Sequence, residues 1–140
     1  MKPTYLDADI LIAAAKGTEV FSAPALEVLD DPERSFACSD YVKLEVLPNA
    51  AYFERTGIVA FYEEFFESVE RWVPSSPELS ARALDLACQH GLGAMDALHV
   101  AAAEAAGAEL LTAESHTKPM FRVGPPRVVS IRTAEPGETS

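Results

Sequence analysis

Cysteine is scarce in this chain: two in 140 residues, Cys38 and Cys88, with no metal-type spacing between them. That argues against a disulfide framework and a cysteine-based zinc site, and predicts two reduced, partly buried thiols. Basic residues are also few, 11 Lys and Arg against 22 Asp and Glu, for a formal net charge of −11. Tight, non-specific nucleic-acid binding needs a basic face, so the overall charge argues against that mode. It leaves room for a metal site, because a divalent cation inverts the local charge, and for a basic partner. No apolar run approaches the roughly 20 residues that span a bilayer. The opening "MKPTYLDAD" reaches an acid too early for a signal peptide, so the expected setting is the cytoplasm. Internal repeats and low-complexity segments are absent as well.

What is present is the balance of a soluble globular protein, 49% hydrophobic and 24% charged. At this length about two thirds of the unfolded surface can be buried, so a core forms without staples. The expectation is one domain over residues 1–132 and a polar tail over 133–140. "PTYLDADILIAAA" reads as a strand over residues 3–7 and then a helix. "TEVFSAPALEVLDDPER" reads as a second helix, "SFACSD" as a strand, and Ser39 as the N-cap of "DYVKLEVLPNA", which Pro48 should disturb. The second half of "AYFERTGIVAFYEEFFESVERW" has helical spacing, and "VERWVP" looks like a strand. Ser76 and Pro77 open a helix that Gly91 stops; "AMDALHVAAAEAA" is a further helix closed by Gly107. "AELLTAE" and "RVVSI" read as strands with a loop at "HTKPMF". Strands alternating with helices predict an α/β domain with a mainly parallel sheet, whose ligands bind at the carboxyl edge.

The acids near that edge draw attention. Asp7 and Asp9 follow the first strand, and capping of the next helix explains them as well as a metal site does. Glu45 taken alone is an ordinary helix-surface acid, although its helix starts at the same edge, about 9 Å from the cap. Asp96 stands in the first turn of a helix so apolar that burial on all sides is expected, where an unpaired carboxylate is costly. His99, one turn on, is expected to be a structural histidine bonded to backbone or carboxylate. Thr112 and Glu114 end or follow a strand, as a hydroxyl cap and a solvated acid would. Each has a plain explanation, but four acids at one edge repel, and a divalent cation relieves them. Oxygen-only donors suit Mg²⁺ or Mn²⁺.

These segments resemble PIN-domain ribonucleases, especially the toxins of VapBC-type toxin–antitoxin pairs. "LDADILI" is similar to the family's opening "LDTN.LI"-like motif and sets Asp7 on its first acid. "SDYVKLEV" supplies Ser39 and Glu45, "DALHVAAAEAAGAE" supplies Asp96, and "LLTAE" supplies Thr112 and Glu114. The sequence departs from the pattern twice: Asp9 stands where the family usually has Asn or Ser, and Glu114 where Asp is commoner. The resemblance implies a three-layer α/β/α sandwich, homodimerisation, and inhibition by an antitoxin protein. It implies hydrolysis of RNA phosphodiesters, with Asp7, Glu45, Asp96 and Glu114 as catalytic and metal-binding acids and Asp9, Ser39 and Thr112 in support. Lys16, Lys43, Lys118 and Arg122 stand as basic residues that could meet RNA. Other readings are a PIN-fold RNA-processing nuclease without an antitoxin, a non-catalytic acidic interaction module, and a haloacid-dehalogenase-type phosphatase using the Asp-x-Asp. The last expects Thr or Val after that motif and a downstream acidic pair; "DADIL" continues with Ile and no such pair follows.

Overall fold

Strand β1 (Lys2–Leu6) lies at the centre of a five-stranded, wholly parallel sheet. Its neighbours are β2 (Arg34–Ser39) on one side and β4 (Glu109–Thr112) on the other; β3 (Arg71–Val73) and β5 (Val128–Ser130) form the edges. The computed structural model describes residues 1–132, and the tail expected over 133–140 lies outside the described residues.

Right-handed crossovers fix the layers. The chain moves from β1 to β2 to β3 in one direction, so α1 (Ala8–Lys16), α2 (Ser22–Leu29), α3 (Asp40–Tyr52) and α4 (Thr56–Ser68) cover one face. It then returns across the sheet to β4, which sends α5 (Pro77–His90) and α6 (Ala94–Ala106) to the opposite face. The result is the expected three-layer α/β/α sandwich. The connection after β4, with its 3-10 turn at Pro119–Arg122, packs against α5 and α6, whereas the connection after β1 leaves on the other face. The carboxyl ends of β1 and β4 therefore flank the point where the connections diverge, the usual ligand crevice of an open parallel sheet.

The core is aliphatic and alanine-rich. Tyr5, Ile10, Leu11, Val42, Val100, Ala102, Ala103 and Leu110 are fully enclosed. Helix α6 buries Ala97, His99, Val100, Ala101, Ala102, Ala103 and Ala106, because small side chains on every side let it lie close to the sheet. Helix α3 buries Val42, Val46 and Ala50, while Lys43, Leu44, Pro48 and Asn49 are exposed. Pro48 does not end this helix, which runs on to Tyr52. Pro48 and Leu44 are both exposed, and water can take the carbonyl that loses its donor. Helix α4 starts at Thr56, earlier than its spacing alone indicates, and buries Tyr62 and Phe65. Cys38 is buried and Cys88 is exposed; both are free thiols.

Caps follow the sequence closely. The Ser39 and Ser76 hydroxyls accept the Val42 and Leu79 N–H groups, and Gly17, Gly91 and Gly107 close helices at positive φ. Replacing Ser76→Ala should cost about 1 kcal/mol, read as a lower urea midpoint with an unchanged slope. No helix of the described residues is long and apolar enough to cross a membrane.

Candidate metal centre

Asp7 is the first residue past β1 and the N-cap of α1. The Ala8 N–H donates to its Oδ1 at 2.8 Å, and the Thr112 hydroxyl at the end of β4 donates to its Oδ2 at 2.9 Å. Its backbone N–H continues the ladder to the Leu111 carbonyl at 2.9 Å. Asp7 is only 7% exposed, so its charge is held by fixed dipoles at the mouth of the crevice.

Asp9 does not cap α1. The Ala113 N–H donates to its carboxylate at 3.1 Å, and its Oδ2 lies 3.1 Å from the Thr112 hydroxyl. Asp9 thus ties the first turn of α1 to the end of β4. One hydroxyl hydrogen cannot serve Asp7 and Asp9 together, so the two carboxylates crowd around a single donor. Burial, and then the Asp7 charge, push the Asp9 carboxyl up to about 7, with Glu114 adding to the rise. Burial likewise raises Asp7 above the ordinary carboxylate range, against the pull of His99, the Thr112 hydroxyl and the Ala8 N–H; Asp96 adds to the rise. Asp96, in the first turn of α6, and Glu114, after β4, are both half-buried, and their charges are felt by Asp7 and Asp9.

A third helix brings the remaining acid. Glu45 projects from α3 and its Oε1 accepts a hydrogen bond from His99 Nε2. The same nitrogen lies 3.8 Å from Asp7 Oδ1. Among the described residues, Asp7, Glu45 and His99 form the group whose ligand atoms all lie within 4.8 Å of one another. Asp96 and Glu114 stand outside that tight group.

Behind His99 lies a set of partners that sequence spacing does not disclose. The Tyr5 hydroxyl is 2.8 Å from His99 Nδ1 and 2.6 Å from the Ser39 hydroxyl. Tyr5, Ser39 and His99 are almost fully enclosed, so three elements, β1, β2 and α6, are joined through one phenol. A carboxylate can only accept, so the Nε2 facing Glu45 carries a hydrogen. The imidazole therefore holds Glu45 over Asp7 and offers no lone pair there. Tyr5→Phe should cost about 1–3 kcal/mol, because it strips a partner from Ser39 and from His99 Nδ1; urea unfolding checks this.

The donor set fits a hard divalent cation. Among the described ion pairs no Lys or Arg contacts Asp7 or Asp9, and His99 is the sole basic group near Asp7. Buried like charges without a cation are costly, and oxygen donors with a protonated Nε2 suit Mg²⁺ or Mn²⁺ better than Zn²⁺. Of the basic residues considered for RNA, Lys43 sits 5.8 Å over the Phe66 ring and Lys16 pairs with Glu19 at 3.3 Å. Lys118 and Arg122 are exposed or at the 3-10 turn beyond β4.

A family model described as "PIN domain" matches residues 4–118. Three solved structures of similar architecture carry the comparison further. VapBC2 from Rickettsia felis, bound to a DNA fragment from its promoter, is 19% identical, with a TM-score of 0.69 over 91% of this chain and 98% of that one. DNA-bound VapBC from Salmonella typhimurium is 15% identical, with a TM-score of 0.70 over 94% and 100%. VapC20 of Mycobacterium tuberculosis, a sarcin–ricin-loop-cleaving toxin, is 14% identical, with a TM-score of 0.66 over 85% and 94%. At these identities the likeness is one of fold. No curated protein sequence matches the chain significantly.

Proposed function

The chain belongs to the PIN-domain family, and from that premise we propose that it is a metal-dependent endoribonuclease, the toxin of a toxin–antitoxin pair. The observation that carries the reading is the packing of Asp7, Asp9 and Glu45 at the strand-end crevice, with no Lys or Arg paired to them in the described residues. The similar VapBC assemblies support a protein partner. The VapC20 likeness supports RNA as substrate. Homodimerisation rests on the family resemblance alone.

In this reading Asp7 and Asp96 would hold Mg²⁺ or Mn²⁺, with Glu45 and Glu114 completing the acidic wall. When bound, the cation neutralises the scissile phosphate and acidifies a water for attack. The protein's part is positioning. Thr112 and the Ala8 N–H fix both oxygens of Asp7. His99 fixes Glu45, and Ser39 and Tyr5 fix His99. Asp9 is anchored to Ala113 and keeps the β4 end closed against α1. Such prior ordering removes the need to reorganise dipoles during reaction.

The test is cleavage of structured RNAs by purified, partner-free protein in Mg²⁺, Mn²⁺ or EDTA, with cleavage ends sequenced after brief induction in cells. Cleavage that requires the divalent cation is the expected result. Intact RNA under every metal condition sinks the nuclease reading. A small basic partner encoded beside the chain, blocking cleavage on binding, is expected; its absence would favour an RNA-processing role.

A further inference from the structure

Glu45 has little to hold it. Its side chain is 34% exposed, and among the described residues its carboxylate takes one hydrogen bond, from His99 Nε2. A long, part-exposed side chain keeps its rotamer freedom unless a partner fixes it. Where Glu45 stands relative to Asp7 therefore depends on His99, and His99 depends on what lies behind it.

Counting hydrogens gives that set of bonds a direction. Ser39, Tyr5 and His99 are at most 1% exposed, so each of their polar hydrogens has to meet an acceptor inside the protein. The Ser39 oxygen accepts the Val42 N–H as the N-cap of α3, which leaves its single hydrogen for the Tyr5 oxygen, 2.6 Å away. The phenol then has one hydrogen to give, and His99 Nδ1 takes it at 2.8 Å. An accepting Nδ1 bears no hydrogen, so the neutral ring carries its hydrogen on Nε2, facing Glu45. The reverse order, from Nδ1–H to Tyr5 and from Tyr5 to Ser39, leaves the enclosed Ser39 hydrogen without an acceptor among the described hydrogen bonds. Only the first order satisfies every member.

The chain of bonds also closes on itself. Ser39 caps α3, and Glu45 stands on the same helix about 9 Å further along. One point of attachment lets a helix turn about its axis; two fix its rotation. Between them the circuit passes through β1 and through α6, which lies on the sheet face opposite α3. It thus ties the two outer layers across the carboxyl edge, with His99 Nε2 3.8 Å from Asp7 Oδ1.

We infer that Tyr5 is a positioning residue of the metal centre: by donating to His99 Nδ1 it fixes the tautomer of the ring, and through Nε2–H it sets where Glu45 stands over Asp7. That role rests on the metal-dependent nuclease reading of the adjacent acids. It assigns a function in the reaction to a residue outside the acidic motifs.

Three measurements test it. In metal-free protein at pH 8, nitrogen NMR of the labelled histidines should show His99 with a protonated Nε2 and a bare, hydrogen-bonded Nδ1. Tyr5→Phe should lower kcat about tenfold with KM within about twofold, and weaken calorimetric Mn²⁺ binding about fivefold, near the low end for loss of an outer partner because the phenol acts one bond further back. Ser76→Ala, which loosens the fold by removing the cap of α5, should leave both values unchanged. In a His99→Gln background the amide still donates to Glu45 without the phenol, so adding Tyr5→Phe should cost less than about twofold more. A protonated Nδ1 overturns the assignment. So does a Tyr5→Phe protein no slower and no weaker in Mn²⁺ binding than Ser76→Ala, or an undiminished Tyr5→Phe effect in the His99→Gln background. A wild type that cuts no RNA removes the nuclease reading, and the tautomer and the Mn²⁺ affinities still decide the role of Tyr5. A wild type that binds no Mn²⁺ removes both.

Discussion

Asp7→Asn lowers divalent-cation-dependent RNA cleavage by at least about a hundredfold in kcat, and leaves the fold intact. Asn keeps the cap by accepting the Ala8 N–H through its carbonyl oxygen, and its amide, in place of the second oxygen, donates to the Thr112 hydroxyl, which is then free to donate to Asp9. What it loses is charge. In EDTA the variant should therefore be as stable as wild type or more so, because one of two crowded carboxylates has been neutralised. Its Mn²⁺ affinity by calorimetry should fall along with the rate. Asp96→Asn is the companion variant. The described hydrogen bonds give Asp96 no partner, so its loss separates metal binding from capping even more cleanly. If both variants cleave at the wild-type rate, the acids only order helices, and the proposed mechanism is wrong.

Much of this architecture is legible along the chain because it is written in local terms. Ser39, Ser76, Gly91 and Gly107 mark helix ends by their own backbone chemistry, and the alternation of strands with helices implies the parallel sheet. The strand-end placement of Asp7, Ser39 and Thr112 follows from the same pattern. The contacts that shape the site are less legible, since they join distant segments. Asp9 finds Ala113 and Thr112 more than 100 positions away, so nothing near residue 9 distinguishes a cap from a cross-brace. The Tyr5–His99 bond spans 94 positions. Tyr5 reads simply as a buried strand residue, yet its hydroxyl orders His99, and through it Glu45. The one usable signal was His99, a turn beyond Asp96 on an otherwise apolar helix. Pro48 misleads for a different reason: its cost depends on whether the freed carbonyl meets water, which only the fold decides.

The departure at Asp9 carries the second large expectation. In the metal-free protein the Asp9 carboxyl sits at about 7, against 3.8 for the unfolded chain, because it is buried beside Asp7. Between these values the folded state keeps a proton that the unfolded state has released. By linkage, stability is then fully present below about pH 4 as far as this group is concerned, and falls as pH rises toward 7. Across roughly three units the loss is on the order of 4 kcal/mol, and the raised pKa of Asp7 acts in the same direction. Urea midpoints in EDTA at pH 5 and pH 8 should therefore differ more for wild type than for Asp9→Asn. That variant keeps an acceptor for the Ala113 N–H and removes the charge. Saturating Mg²⁺ or Mn²⁺ should restore wild-type stability at pH 8, since a cation favours the ionised acids, and should help Asp9→Asn less. Parallel pH profiles for the two proteins in EDTA would show that Asp9 is ionised and satisfied without metal, held by Ala113 and Thr112 alone.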